Sequence, residues 1–353
     1  MKKIKFIIKL IVFLCIFSVL LGSISYIVRP DSDMKIRYAG FYAEDKNTID
    51  AIMIGPSSVS PLIAAPYVWN EYGIAVYPLS TNAQPVASVK YIIEEARKTQ
   101  PDALFIIDTT MFMVETETLL TEPRIRNVVD NMKYSATRFR AINEMVQDKS
   151  QRIDYYFDIS KYHSAIFGEK GLKKDDFKYF NFESSSEYKG YLFVEAVDLF
   201  EPVDLSDIDD KKAIPESAEK ELKALMEYCT ENGANVLFIT CPYIATEDNK
   251  AKHNYIAGLA EERGYNYIDF NDLYKVMDID FERDFYNANH FNVYGAEKFS
   301  AYLGSYLAEK YNMQDKRGDE RYQSWDESYI AWQQMAQETK EKIDKNLEIL
   351  KNR

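Results

Sequence analysis

A chain of 353 residues with 46% hydrophobic and 28% charged side chains can bury a sizeable core, and wholesale disorder is excluded. Its 43 basic and 56 acidic residues leave a net charge of −13, which excludes a nucleic-acid backbone as the expected partner. Cys15, Cys229 and Cys241 make no disulfide framework, and His163, His253 and His290 stand apart from one another, so neither a metal nor another cofactor is expected. Free, buried thiols are the expected state, with a Cys229–Cys241 bridge as the alternative.

In chain order, residues 1–9 are a basic stub carrying Lys2, Lys3, Lys5 and Lys9. Residues 10–28 form a nearly continuous apolar run, long enough for one bilayer crossing. The lysines place the stub in the cytoplasm and the rest of the chain outside the cell, as a single-pass cell-membrane protein. A cleaved signal peptide is the rival reading. Gly22-Ser23-Ile24-Ser25 is a poor cleavage site with apolar residues beyond it, which favours an uncleaved anchor. Residues 29–48 are polar and mixed, and read as a tether.

From 49 to 311 short apolar strands alternate with helices. Strands are predicted at 49–54, 74–77, 103–107, 235–239 and 265–270. Helices are predicted at 66–72, where Gly73 supplies the cap, at 85–99, 138–148, 215–232, 250–263 and 294–311. That alternation indicates an α/β three-layer sandwich with a central, mostly parallel sheet covered on both faces. An insertion at about 115–212 is less regular. Residues 152–167 are aromatic and read as helical, and 169–205 reads as a segment over the carboxyl edge of the sheet. Residues 312–353 are a helical extension. Trp325, Tyr329, Trp332 and Met335 give it an amphipathic face expected to pack back on the domain, with partner binding as the alternative.

Two loops carry the chemistry. Gly55-Pro56-Ser57-Ser58 follows the first strand, at the sheet edge where open parallel sheets bind ligands. Gly55 permits a sharp turn that lifts Ser57 out of the sheet, and the Ser57 or Ser58 N–H can face a developing oxyanion. Alone, the segment also fits a turn with a serine helix cap. Far downstream, Asn287-Ala288-Asn289-His290-Phe291-Asn292 places a histidine before the last helix of this region. A serine hydroxyl needs such a base to become a nucleophile.

The Gly-x-Ser start and the His-Phe-Asn-x-x-Gly end together resemble the SGNH (GDSL) hydrolase family over residues 49–311. The resemblance implies a flavodoxin-like SGNH fold, with Ser57 as nucleophile and His290 as general base. Family members carry an aspartate three residues before that histidine; here the residue is Asn287, with Asp284 as the substitute and Asp269 as a third acid candidate whose expected role is a turn. The Ser57 and Ser80 N–H groups and Asn82 are the implied oxyanion donors. The third strand runs into Asp108-Thr109-Thr110, without the asparagine of the family pattern. The anchor and motif order look like the membrane-bound branch that includes relatives of the D-alanyl-lipoteichoic acid transfer protein and polysaccharide O-acyl esterases and transferases. This implies an extracellular serine esterase or O-acyltransferase acting on ester-linked acyl groups of a cell-surface polysaccharide or teichoic acid, beside a multipass membrane O-acyltransferase. A catalytically degenerate glycan-binding or scaffold protein is the alternative. Arg126 and Lys133, with Arg124, are candidate contacts to an anionic polymer if their loop reaches the sheet edge; a solvated helix start with local ion pairs is the other reading. His163 is a further candidate from the insertion.

Overall fold

The computed structural model describes residues 2–167 and 171–352. Its centre is a five-stranded parallel sheet of β1 (Ala51–Ile54), β2 (Val76–Pro78), β3 (Leu104–Asp108), β4 (Val236–Thr240) and β5 (Asn266–Asp269), in the order β2-β1-β3-β4-β5. Every residue of β1, β3 and β4 is buried, because helices cover both faces and alternate side chains point to opposite sides. Ile52, Ile54, Phe105, Ile107 and Phe238 face one core with Ile92 and Ile93 of helix α5 (Val89–Ala96) and Leu222 of the Glu216–Glu231 helix. Met53, Leu104, Ile106, Leu237 and Ile239 face the other, with Phe299 and Leu303 of the Val293–Lys310 helix. Pro78 ends β2, an edge strand where a missing N–H breaks no ladder. The α/β architecture with a parallel sheet is as read from the sequence.

The N-terminal part departs from the tether expectation. Helix α1 (Lys2–Ile27) absorbs the basic stub and is long and apolar enough to cross a membrane. Residues 29–48 contain helix α2 (Asp33–Ala43), capped by the Ser32 side chain, which accepts from the Lys35 N–H. Tyr38 and Phe41 sit in the main core. Lys35 and Arg37 are also buried, with their charges on backbone carbonyls: Lys35 Nζ on Arg29 O at 3.0 Å, Arg37 Nε on Gly190 O at 2.9 Å and Arg37 Nη1 on Ser80 O at 3.1 Å. Arg29 inserts into a buried cluster, its Nε 2.8 Å from Asp158 Oδ2, and Arg138 Nη2 lies 2.9 Å from Asp158 Oδ1.

The first part of the insertion packs among the helices beside the sheet. Its Glu122–Val129 and Ala136–Met145 helices pack beside α5, placing Ile125, Val128, Ile142 and Met145 in the same core as Ile92. Residues 152–167 form three short helical pieces, and the start of the 169–205 segment, Glu169 and Lys170, lies outside the described residues. Further on, this segment runs along the rim: Leu192 N donates to Ser60 O and Asp198 N to Phe285 O, both at 2.9 Å. The C-terminal helix, Gln323–Lys351, packs back on the domain: Trp325 Nε1 bonds Glu44 at 2.9 Å, and Trp69 of α4 (Ala65–Tyr72) bonds Asp326 at 2.7 Å. Cys229 and Cys241 are free and buried.

Candidate active site

Ser57 occupies the turn between β1 and the short helix α3 (Val59–Leu62). A Cβ on Gly55 would stand 2.7 Å from both Asp108 Cβ and Val59 Cγ2, so only glycine lets β1 turn this close to β3. Gly55→Ala is therefore expected to cost about 1–3 kcal/mol by overpacking. A denaturation midpoint equal to that of the parent would contradict this.

Asp108, fully buried at the end of β3, ties three strand ends together. Its Oδ1 accepts from the N–H groups of Thr110 (3.1 Å) and Cys241 (3.2 Å), and its Oδ2 from the hydroxyls of Thr110 (2.7 Å) and Ser58 (3.1 Å). The serine-cap reading of Ser58 is thereby replaced: its side chain caps no helix. The role of Asp108 was missed in the sequence, although an acid closing the otherwise apolar run Leu104-Phe105-Ile106-Ile107 was a visible signal.

His290 arrives on a hairpin of β6 (Phe285–Asn287) and β7 (His290–Phe291), with Asn287 paired to His290 and residues 288–289 as the turn. Phe285 and Phe291 anchor it in the core, their rings 4.5 Å apart edge to face. Its tip is pinned where Ile244 N donates to Ala288 O at 2.7 Å. The Tyr286 ring stacks on the imidazole at 5.0 Å. The Val293–Lys310 helix starts immediately behind, and a Cβ on Gly295 would collide with Phe291 Cγ at 2.6 Å and Asp284 O at 2.7 Å.

The hairpin brings His290 Nε2 to 2.9 Å from Ser57 Oγ, across 233 residues of sequence. On the other side of the ring, His290 Nδ1 lies 2.8 Å from Asn287 Oδ1, which also accepts the Asn289 N–H at 2.9 Å. That backbone donor fixes which end of the amide faces the ring. Nδ1 therefore carries the proton, and Nε2 offers its lone pair to the serine hydroxyl. Burial, with no carboxylate beside the ring, pushes the His290 pKa down to about 4. The ring is thus a neutral, oriented base.

The substitute acids are elsewhere. Asp284 does not orient His290: its Oδ2 takes Lys298 Nζ and the Asp280 N–H, both at 2.8 Å. Asp269 is buried, which would raise its pKa, yet His253 (2.9 Å) and Lys250 (3.1 Å) bring it down to about 2. Two of the oxyanion expectations are also corrected. Leu79 N and Thr81 N donate toward β1, so the strand alternation turns the Ser80 N–H the other way, and Ser80 O faces Arg37. Asn82 sits by Met34 and Asn127, outside the pocket. Arg126 is not a polymer contact either. It is buried between Glu122, Asp130 and the Tyr155 ring. Lys133 lies against the Tyr42 and Phe182 rings, and exposed His163 bonds Ser160 O; among the described residues neither lines the pocket that holds Ser57.

Ser57 and His290 open into a cavity of about 270 Å³, walled by Thr110, Met113, Cys241, Pro242, Tyr243 and Asn289. Among the described residues, no acidic or basic side chain other than His290 lines it. The Ser57 and Ser58 N–H groups enter no backbone hydrogen bond among the described residues, which leaves them for a ligand. Asn289, in the same polar loop as His290, also lines this cavity. The chain matches no family model and no curated protein.

Proposed function

We propose that the protein is an SGNH-type serine esterase or O-acyltransferase, anchored in the cell membrane by α1 and working outside it on acyl esters of a surface polysaccharide or teichoic acid. The observation that carries this reading is the Ser57–His290–Asn287 relay at the carboxyl edge of a parallel sheet. The strand order, which is that of flavodoxin-like sheets, supports it. Ser57 Oγ attacks the ester carbonyl while His290 Nε2 takes its proton. The oxyanion is met by the Ser57 and Ser58 N–H groups and the Asn289 amide, in place of Ser80 and Asn82. The leaving alcohol takes the proton back from His290. Water or a sugar hydroxyl then resolves the acyl-enzyme, with His290 again as base. The uncharged cavity wall supports a neutral acyl group over an aminoacyl group, whose ammonium would meet no carboxylate there. A multipass O-acyltransferase is the partner this reading implies, with α1 as the membrane contact.

The test is fluorophosphonate labelling of the full chain in detergent. Labelling at Ser57, lost in Ser57→Ala and His290→Ala, is the expected result. In a serine protease, losing the serine costs about 2 × 10⁶ in turnover and losing the aspartate alone about 3 × 10⁴. A site with asparagine in the third position starts lower, so Ser57→Ala is expected to cost only about 10². Absence of labelling in a folded protein would move the assignment to a glycan-binding or scaffold role.

A further inference from the structure

A second cavity, of about 610 Å³, lies where α1 leaves its apolar stretch. One wall is the last three turns of α1, including Ser18, Val19 and Gly22; the other is aromatic, with Phe139, Phe157 and Phe180 from the insertion. Those three phenylalanines remain 43%, 43% and 39% exposed. Grouped apolar rings facing water are unfavourable and mark a surface for an apolar partner, which a lipid acyl chain supplies next to a membrane helix. Lys133 also lines this cavity. Its ammonium sits 4.5 Å from the Tyr42 ring centre and 4.6 Å from that of Phe182, and among the described residues it has no hydrogen-bond or ion-pair partner. Burial lowers its pKa, which an incoming anion would reverse.

We propose that this cavity holds one anionic phospholipid, its acyl chain between α1 and the phenylalanines and its phosphate at Lys133. The occupant follows from two features together. The cavity is continuous with the face of the helix that enters the membrane, and its one cationic side chain, Lys133, has aromatic faces but no ion-pair partner among the described residues. A soluble anion would use the charge but leave the apolar walls wet; a neutral lipid would leave the charge unmatched. The inference rests on the anchored reading of α1.

The experiment reconstitutes the full chain in phosphatidylcholine–phosphatidylglycerol vesicles, confirms flotation with them, extracts it gently and counts bound lipid by native mass spectrometry. Wild type should retain phosphatidylglycerol. Lys133→Gln should lower that retention at least about fivefold, the effect of one cation near an anionic lipid. Ser18→Trp, on an exposed helix face, should displace the lipid by filling the cavity with every charge left in place. A chain that floats but retains phosphatidylglycerol equally in all three proteins overturns the lipid site and leaves the anchor intact. A chain that does not float overturns both. Displacement of the lipid by excess inorganic phosphate, or a retained protein in its place, overturns the choice of occupant.

Discussion

Asn287→Asp is expected to raise turnover on an acyl ester by up to about 10⁴, the factor by which the reverse change slows a serine protease. Both hydrogen bonds made by Asn287 Oδ1, to the Asn289 N–H and to His290 Nδ1, can be kept by a carboxylate of the same shape. What changes is the charge beside the imidazolium as it forms. In the parent, burial holds His290 near 4, so the base form persists well below neutral pH and activity falls only as the pH drops through about 4. A carboxylate partner raises such a pKa by about 1–3 units, so the acid limb of the pH–rate profile should move up by that amount. The sign for stability follows. The unfolded histidine titrates near 6.5 and binds its proton first, so His290 costs stability as pH falls from about 6.5 to about 4. Asn287→Asp should narrow that window. An unchanged acid limb together with unchanged turnover would show that His290 is not the base.

Asp158→Ala is expected to destabilise the fold by about 3–5 kcal/mol, the usual consequence of removing one partner from a buried ion cluster. The Asp158 carboxylate has no exposed surface and receives Arg29, Arg138 and the Tyr134 hydroxyl, the last at 2.8 Å. Its loss leaves two buried guanidinium groups facing each other. Burial already disfavours the charge on Arg138, with Arg29 adding repulsion. Adding Arg138→Met to Asp158→Ala should recover part of the loss, because one stranded charge goes with it. Chemical denaturation of the full chain measures both. A cost below about 1 kcal/mol for Asp158→Ala would mean that water reaches the cluster and solvates the two arginines.

The sheet was legible because β1 is apolar throughout and β3 and β4 are apolar up to their last residues, Asp108 and Thr240, a pattern that suits a doubly covered parallel strand. Ser57 and His290 were legible because each sits in a short, distinctive loop. Helix α2 was hidden by Lys35 and Arg37: charge in sequence suggested solvent, but the Arg29 carbonyl accepts from Lys35, and the carbonyls of Gly190 and Ser80, distant in the chain, accept from Arg37. The Ser80 assignment failed for another local reason. Whether Ser80 faces β1 depends on strand parity, which a one-residue shift reverses. Arg126 and Lys133 were singled out by charge alone, and aromatic faces take both away from Ser57.

The packing of α2 and the insertion of Arg29 have a mechanical consequence. A flexible stretch of about 20 residues wanders over roughly 25 Å. Here the corresponding stretch is folded into the core, from the buried Val28 to Ile49 at the entry to β1. With α1 in a bilayer, the altitude of Ser57 above the lipid is a constant of the fold. On the proposed reading, a site so mounted is a fixed gantry, and an acyl ester would react only where its polymer passes through that one stratum.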